Sequence, residues 1–369
     1  MPKKNRLLAI ATAAIVLALG LVLIVRNQTH RPNASAGQLR IGAILPQTGP
    51  GAALAKYIQN GCDMAASDLN GKKPGTVELM YGDSKNQPGE GVAVFRQMVL
   101  TQNPPVIISA TSLVTKAIVP LAKENKTVVV ATAVALPNIT DASDYVFRIY
   151  PEANGMAGVM AEYAAAHYKT AVVVYVNDDF GMSSAKVFAR VLESNGGKVV
   201  ATEPFSLTEV DFRNQWAKIK QLNVDCVWIV GYGPAYAVLL KQAREAQVGA
   251  ALLADMTMGL SSTLKNAGDA AEGVVYVDGV MNPDFVTRYQ AKFGDFPSTY
   301  AGYAYDLIMI LGQVSQQQGR SVDGIRSGLA ATKSYKGVMG DITVLPNRDA
   351  ALKFAVMRIS NGKAIPQSR

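Results

Sequence analysis

The chain has 369 residues, of which 49% are hydrophobic and only 17% are charged, so general disorder is excluded and two domains or lobes are expected. The net charge of +8 is concentrated in residues 1–36, which hold five basic residues and no acid, and the remainder carries only +3. Because no part of that remainder interleaves basic with aromatic residues, nucleic-acid binding is not expected.

The first element of the chain has the composition of an export signal. Three basic residues precede an uncharged run of 19 residues, 7–25, which is longer than a usual signal core and long enough to cross a bilayer. The sequence Ala34-Ser35-Ala36 offers a cleavage site, although it lies well beyond the run. A cleaved signal peptide and a retained membrane anchor both remain open. Either one predicts that the rest of the chain lies outside the cytoplasm, because the positive flank stays inside.

From residue 38 onward, apolar runs of strand length alternate with amphipathic stretches of helical length. The first series predicts strands at 39–45, 76–83, 106–110 and 127–133 and helices at 52–70, 89–102 and 113–125. After FRIYPE, the second series predicts helices at 155–168, 183–196, 212–223 and 235–247 and strands at 170–176, 198–205, 225–232, 250–255 and 274–280. The last part predicts helices at 299–318 and 322–332 and a strand pair at 341–346 and 352–359.

Valine- and isoleucine-rich strands separated by helices are typical of parallel sheets covered on both faces. The pattern therefore predicts an α/β fold with two doubly wound parallel-sheet lobes and a ligand cleft between them, preceded by an N-terminal apolar helix. In such sheets, ligands bind outside the carboxyl ends of the strands, so the strand-to-helix loops are the candidate site.

The residues of the chain offer little for catalysis, metal binding or redox chemistry. Beyond residue 37 the only histidine is His167, at the end of a predicted helix, where the helix dipole accounts for it. Asp178 and Asp179 are adjacent acids, but helix N-capping explains them at least as well as acid–base chemistry. Cys62 and Cys226 fall in different halves of the chain, and we expect two free thiols. No enzyme, cofactor or metal site is predicted.

The order of several segments points to a known family. The segments are LRIGAILPQTGPGA, VELMYGDSKNQPGEGVAVFRQMV, VIISATSLVTKAIVPLAKENKTVVVATAVA and VVVYVNDDFGMSSAKVF. Together they resemble the type I solute-binding proteins of ABC importers, in particular the leucine/isoleucine/valine-binding family, from about residue 39 to about residue 359. The resemblance implies a signal or anchor at 1–37, one lobe at 38–149 plus 280–339, and a second lobe at 150–279 plus 340–369.

The polar binding positions of that family are only partly kept in this sequence. The resemblance places the family's carboxylate-holding serine at Ser112, where a hydroxyl and the start of a helix suit an anion. Thr115 completes the first turn of that helix, and a helix-capping role is equally open for it. A backbone contact of the family corresponds to Ala133, and its ligand-binding threonine is replaced by Ala135.

The ammonium-binding half of the family's site differs more strongly. The acid that pairs with the α-ammonium corresponds to Met256, so the adjacent Asp255 would have to replace it, and a cleft aromatic becomes Leu54. The aromatic positions that this sequence keeps are Phe180, Tyr232 and Tyr300. Because a buried ammonium without a carboxylate costs several kcal/mol (about 3–5), a carboxylate or neutral amide with an apolar or aromatic body fits better.

The resemblance implies a binding protein that captures a small solute and presents it to ABC permease and ATPase subunits. The expected ligands are an amino acid, an amide or a small organic acid, and we expect a monomer. If residues 7–25 are not cleaved, they would hold it at the membrane. A membrane-tethered sensor or regulatory receptor with the same fold is the alternative, and an exported α/β enzyme is disfavoured.

Overall fold

We describe a computed structural model of the chain, and the description covers residues 37–367. The first sheet is entirely parallel, with strand order β2-β1-β3-β4-β5. Its strands are β1 (Leu39–Leu45), β2 (Val77–Asp83), β3 (Val106–Ala110), β4 (Val128–Thr132) and β5 (Val146–Arg148). Every residue of β3 and β4 is buried, which explains why these strands are continuously apolar in sequence.

The second sheet has the strand order β15-β14-β10-β9-β8-β6-β7 and is parallel except at one end. Its strands are β6 (Thr170–Val176), β7 (Lys198–Phe205), β8 (Cys226–Val230), β9 (Ala251–Ala254), β10 (Val275–Asp278), β14 (Ala355–Ser360) and β15 (Lys363–Pro366). Strands β14 and β15 run antiparallel to their neighbours. The two sheets confirm the predicted α/β class with two parallel-sheet lobes.

Eleven α-helices of the described chain cover these sheets. They are α1 (Ala52–Lys72), α2 (Pro88–Thr101), α3 (Ser112–Glu124), α4 (Ala153–His167), α5 (Asp179–Ser194), α6 (Arg213–Leu222), α7 (Pro234–Glu245), α8 (Ser261–Ala267), α9 (Pro283–Phe293), α10 (Thr299–Gln318) and α11 (Val322–Ala331). Helix α10 crosses α1 so closely that a Cβ atom on Gly61 would lie 2.2 Å from the carbonyl oxygen of Ala301. The late helix α10 therefore packs directly against α1.

The C-terminal strands differ from the predicted strand pair. Strand β12 (Gly340–Val344) pairs with β11 (Tyr335–Gly337) and β13 (Ala350–Ala351) in a small separate sheet. Strand β14 instead joins β10 in the second sheet, so the two predicted strands exist but are not partners. The prediction was wrong because antiparallel pairing between distant segments leaves no local pattern in the sequence. The predicted lobe boundaries remain a prediction.

A fully buried arginine connects this small sheet to the first lobe. Arg148 donates from Nε to the Asp349 carboxylate at 2.8 Å. Its Nη1 donates to the carbonyl oxygens of Val134, at 3.3 Å, and Leu136, at 2.6 Å. Since a buried charge is tolerated only when it is paired and hydrogen-bonded, these partners hold both the guanidinium and the loop after β4 in place.

The cysteine prediction is confirmed, because Cys62 and Cys226 are both buried and unpaired. Within residues 37–367, none of the helices combines the length and the apolar character that a membrane crossing requires. The predicted signal peptide or anchor, including the apolar run 7–25, lies outside the described residues.

Candidate ligand-binding site

A cavity of about 300 Å³ lies between the carboxyl ends of the two parallel sheets. Of the nine residues predicted to bind ligand, eight line it: Leu54, Ser112, Ala133, Ala135, Phe180, Tyr232, Met256 and Tyr300. The ninth, Asp255, is not among the lining residues. The two lobes therefore bring the predicted positions together at one site, although their role in binding stays a prediction.

The first-lobe wall of the cavity is built from a strained strand-to-helix turn. Ser112 is the first residue of α3, and Thr111 before it has φ 69° and ψ 139°. This conformation is costly for a β-branched residue, and such strain collects at ligand sites. The Thr111 hydroxyl is buried and has no hydrogen-bond partner within residues 37–367. Free helix N–H groups and two hydroxyls thus border the cavity at a point suited to an anion.

Thr115, one turn further along α3, does not line the cavity. Its side chain is fully buried, and its hydroxyl lies 2.7 Å from the Ser109 hydroxyl. Lys116 is also committed elsewhere, because its ammonium lies 2.6 Å from the Asp179 carboxylate across the cleft. Of the hydroxyls in this segment, the cavity is therefore bordered by those of Thr111 and Ser112.

Small and apolar side chains cover much of the remaining first-lobe surface. Ala133 has φ 52°, another backbone conformation that is uncommon for residues other than glycine. Ala135 is buried and Leu54 is partly buried at the cavity. The two alanines lie in the loop after β4 that Arg148 anchors through its carbonyl contacts. This part of the cavity can hold an apolar body and offers it no side-chain hydrogen bond.

An aromatic wall lies where the chain first crosses between the sheets. Tyr150 stacks on Tyr300 with a centroid distance of 5.6 Å and an interplanar angle of 12°. The Tyr150 hydroxyl donates to the Met256 sulfur at 2.8 Å. Both tyrosines and the methionine are buried and line the cavity, so this end presents flat and polarizable surface.

Asp255 is used inside the second lobe. Its carboxylate accepts hydrogen bonds from the Gly231 N–H at 3.0 Å and the Thr257 N–H at 3.0 Å. The Tyr236 hydroxyl donates to it at 3.3 Å. Burial raises the pKa of the Asp255 carboxyl to about 7, against the effect of these hydrogen bonds. The side chain shapes the 3₁₀ turn that begins at Met256, and its own bonds leave little capacity for a ligand ammonium.

The second-lobe wall includes Asp178, an acid that the sequence predicts only as a helix cap. Asp178 caps α5 by accepting from the Gly181 N–H at 2.9 Å, which confirms the capping interpretation. It also lines the cavity and accepts from the Tyr232 hydroxyl at 2.7 Å. Desolvation raises the pKa of the Asp178 carboxyl above its usual range. Phe180 lies beside Tyr232, with ring centroids 6.4 Å apart.

Comparisons with known proteins agree with this geometry. The sequence pattern of the periplasmic binding protein family matches residues 38–364. The chain belongs to the periplasmic binding protein family. Leu/Ile/Val-binding protein homolog 1 of Brucella abortus is 24% identical to it over 333 residues, which cover 86% of this chain and 89% of that protein.

Two solved structures illustrate the shared fold. The leucine binding protein LivK of Thermotoga maritima has a TM-score of 0.83 at 25% identity, covering 89% of this chain and 98% of the other. A solute binding protein of an ABC transporter from R. palustris, in complex with benzoate, has a TM-score of 0.82 at 20% identity, covering 89% and 95%. This binding protein therefore has the type I periplasmic binding fold of the leucine/isoleucine/valine-binding family. Its family implies a periplasmic or extracellular location.

Several cavity residues of this periplasmic binding protein were not identified from its sequence. They include Asn86, Thr111, Tyr150, Asp178 and Thr257. Thr111 follows a predicted strand directly and Asn86 lies three residues beyond one, so the rule that ligands bind at the carboxyl ends of strands indicates both. A capping role accounts for Asp178 in the sequence, but the same side chain also accepts from Tyr232 at the cavity.

The electrostatic character of the cavity is unusual for an anion site. None of its described lining residues is lysine, arginine or histidine, and Asp178 is their only acid.

Within residues 37–367, no three His, Cys, Asp or Glu side chains are grouped as a metal ion would require. His167 is exposed at the end of α4, with Nδ1 2.8 Å from the Tyr163 carbonyl oxygen. It lines no part of the cavity.

Proposed function

We propose that this periplasmic binding protein is the substrate-binding component of an ABC importer, and that it captures a small carboxylate-bearing solute with an apolar body. The observation that carries the proposal is Ser112, which begins α3 at the edge of a cavity lined from both sheets. A helix N-terminus favours a negative charge through its free N–H groups and its dipole, even where no basic side chain is present.

The apolar walls favour an organic acid over an α-amino acid. Leu54, Ala135 and Met256 supply no carboxylate for an α-ammonium group, and Asp255 already accepts three hydrogen bonds of its own lobe. The compared proteins support a small solute of either kind, since one is named a leucine binding protein and another was solved with benzoate. None of the three is named as a sensor, so the sensor alternative gains no support.

Capture would proceed by closure of the lobes around the solute. The Lys116–Asp179 pair, at 2.6 Å, joins α3 of the first lobe to α5 of the second. Solute contacts made from both lobes would stabilise the closed arrangement and shift the population towards it. We further propose that the closed monomer delivers the solute to ABC permease and ATPase subunits at the outer face of the membrane.

A calorimetric and thermal-shift panel tests the proposal. Suitable probes are benzoate, phenylacetate, pentanoate, leucine and acetamide. We expect at least one acid to raise the melting temperature, because ligand at 100 times its Kd adds about 2.7 kcal/mol of stability. We expect leucine to bind more weakly than the best acid. If no acid, amide or amino acid stabilises the protein, the proposal is wrong. Loss of uptake of the bound acid after deletion of the gene tests the transport role.

A further inference from the structure

Three polar side chains from both lobes form a chain of adjacent polar groups on the cavity wall. Asn86 comes from the loop after β2 of the first lobe, and Asp178 and Tyr232 come from the loops after β6 and β8 of the second. Tyr232 donates its hydroxyl proton to Asp178 Oδ2 at 2.7 Å, and the Gly181 N–H donates to Oδ1 at 2.9 Å. Both carboxylate oxygens of Asp178 are thus acceptors.

The direction of this chain fixes the orientation of the Asn86 amide. Because Tyr232 gives its only proton to Asp178, its phenol oxygen can only accept a further hydrogen bond. Asn86 neighbours that hydroxyl, and Nδ2 is the atom of its amide that is able to donate to it. The Asn86 Oδ1 atom is left as the free end of the chain. It is buried and has no hydrogen-bond partner within residues 37–367.

An acceptor buried without a donor is costly, so the free Oδ1 points to a donor that arrives with the solute. The cavity wall itself has no lysine, arginine or histidine among its described residues. Asn86 also has φ 57°, in the left-handed region, which asparagine adopts more readily than most residues do. The negative charge of Asp178 nearby adds to the preference for an N–H or O–H group.

The strand order sets the separation between this acceptor and the anion position. Asn86 lies three residues beyond Asp83, and Ser112 lies two residues beyond Ala110. Strand β1 lies between β2 and β3, so two strand spacings, about 9–10 Å, separate the two loops at the sheet edge. A donor on the carbon next to the carboxylate is too close to reach both positions.

We propose that Asn86, oriented by Tyr232 and Asp178, recognises a hydrogen-bond donor at the far end of the solute. The substrate class is then a monocarboxylic acid whose apolar body carries a distal hydroxyl or amino group. This inference rests on the proposed function, because it takes the carboxylate to lie at Ser112. A second carboxylate at the distal end is excluded by the charge of Asp178 and by the acceptor character of Asn86.

Isothermal titration calorimetry with matched acids tests this subsite. We expect 3- or 4-hydroxybenzoate to bind about 10- to 100-fold more tightly than benzoate. By contrast, 2-hydroxybenzoate, whose hydroxyl adjoins the carboxylate, should bind like benzoate. Pentanoate and 5-hydroxypentanoate provide the aliphatic pair, and 4-aminobenzoate distinguishes an N–H from an O–H donor. Terephthalate should bind more weakly than benzoate.

Variants show whether Asn86 is responsible. Asn86→Gly removes the amide without straining a backbone at positive φ. We expect it to bring the members of each pair within about twofold of one another. Asp178→Asn keeps the helix cap and should improve terephthalate binding. Asp284→Asn, an exposed acid in the first turn of α9, is the matched control and should keep the wild-type preferences.

The outcomes separate this subsite from the proposed function. If the acids bind but a distal hydroxyl or amino group does not raise their affinity, the subsite is overturned and the proposed function stands. The same holds if the higher affinity of the hydroxylated acids survives in Asn86→Gly. If none of the acids binds, the proposed function fails and the subsite fails with it.

Discussion

Replacing Ser112 by alanine should weaken acid binding without harming the fold. Ser112 is only partly buried, and it begins α3 at the cavity edge. A hydrogen bond from its hydroxyl to a carboxylate is expected to contribute about 1–3 kcal/mol, so the variant should bind about 5- to 150-fold more weakly. The helix N–H groups remain, so residual binding should persist. Titration calorimetry with the tightest acid of the panel measures the change.

Ser109→Ala is the matched control in the same segment. The buried Ser109 hydroxyl lies 2.7 Å from the Thr115 hydroxyl, and neither side chain lines the cavity. Its loss leaves Thr115 unpaired and should lower the free energy of unfolding by about 1–3 kcal/mol, with the affinity for the acid unchanged. Ser112→Ala should change stability by no more than about 0.5 kcal/mol. An unaltered acid affinity in Ser112→Ala, or an equal loss in both variants, would refute the carboxylate position.

Three further predictions concern closure, pH and packing. Lys116→Met removes the exposed ion pair between the lobes and should lower the affinity for the acid by at most about fivefold. The loss should be smaller at high salt, as calorimetry at two ionic strengths can measure. A larger loss that does not depend on salt would contradict this prediction. Burial raises the pKa of Asp278 to about 7, above its unfolded value, so its contribution to stability is present below about pH 4 and lost as the pH rises through 7. Asp278→Asn should flatten that dependence in thermal unfolding from pH 4.5 to 8, and parallel curves would reject the assignment. Gly61→Ala should destabilise the protein by about 1–3 kcal/mol, whereas Gly71→Ala in the same helix, where a Cβ has no neighbour within 4 Å, should not.

Much of the fold is predictable because its central strands are buried on both faces. Strands 39–45, 106–110, 170–176 and 198–205 were predicted with the bounds that the structure shows. The mainly apolar runs at 39–45, 106–110 and 170–176 need no tertiary information to be recognised, whereas 198–205 is an edge strand of alternating exposure. Helix α9 was missed because few of its residues are buried, and so its apolar face is narrow. Pairing at the C-terminus was wrong because it depends on partners distant in sequence.

The site residues that follow the end of a strand could be predicted from the sequence. Contacts between side chains of different lobes could not. Ser112 and Tyr232 follow strands and resemble family positions, so the sequence indicates them. The chain from Asn86 through Tyr232 to Asp178 joins residues that are 146 and 54 positions apart, and only the folded structure reveals it. The sequence predicts Asp178 only as a helix cap, whereas its side chain also accepts from Tyr232 on the cavity wall.

The buried Arg148 makes the ligand loop depend on the end of the chain. The carbonyl groups of Val134 and Leu136 accept from its guanidinium, whose own carboxylate partner is Asp349, 201 positions later. During synthesis, the only other carboxylate near this charge in the described chain is that of Glu152, 3.7 Å from Nη2, until Asp349 is made near the end of the chain. The wall formed by Ala133 and Ala135 should therefore be completed late in folding. A fragment ending before Asp349 should leave that loop without this anchor, even though every strand of the first sheet is already present.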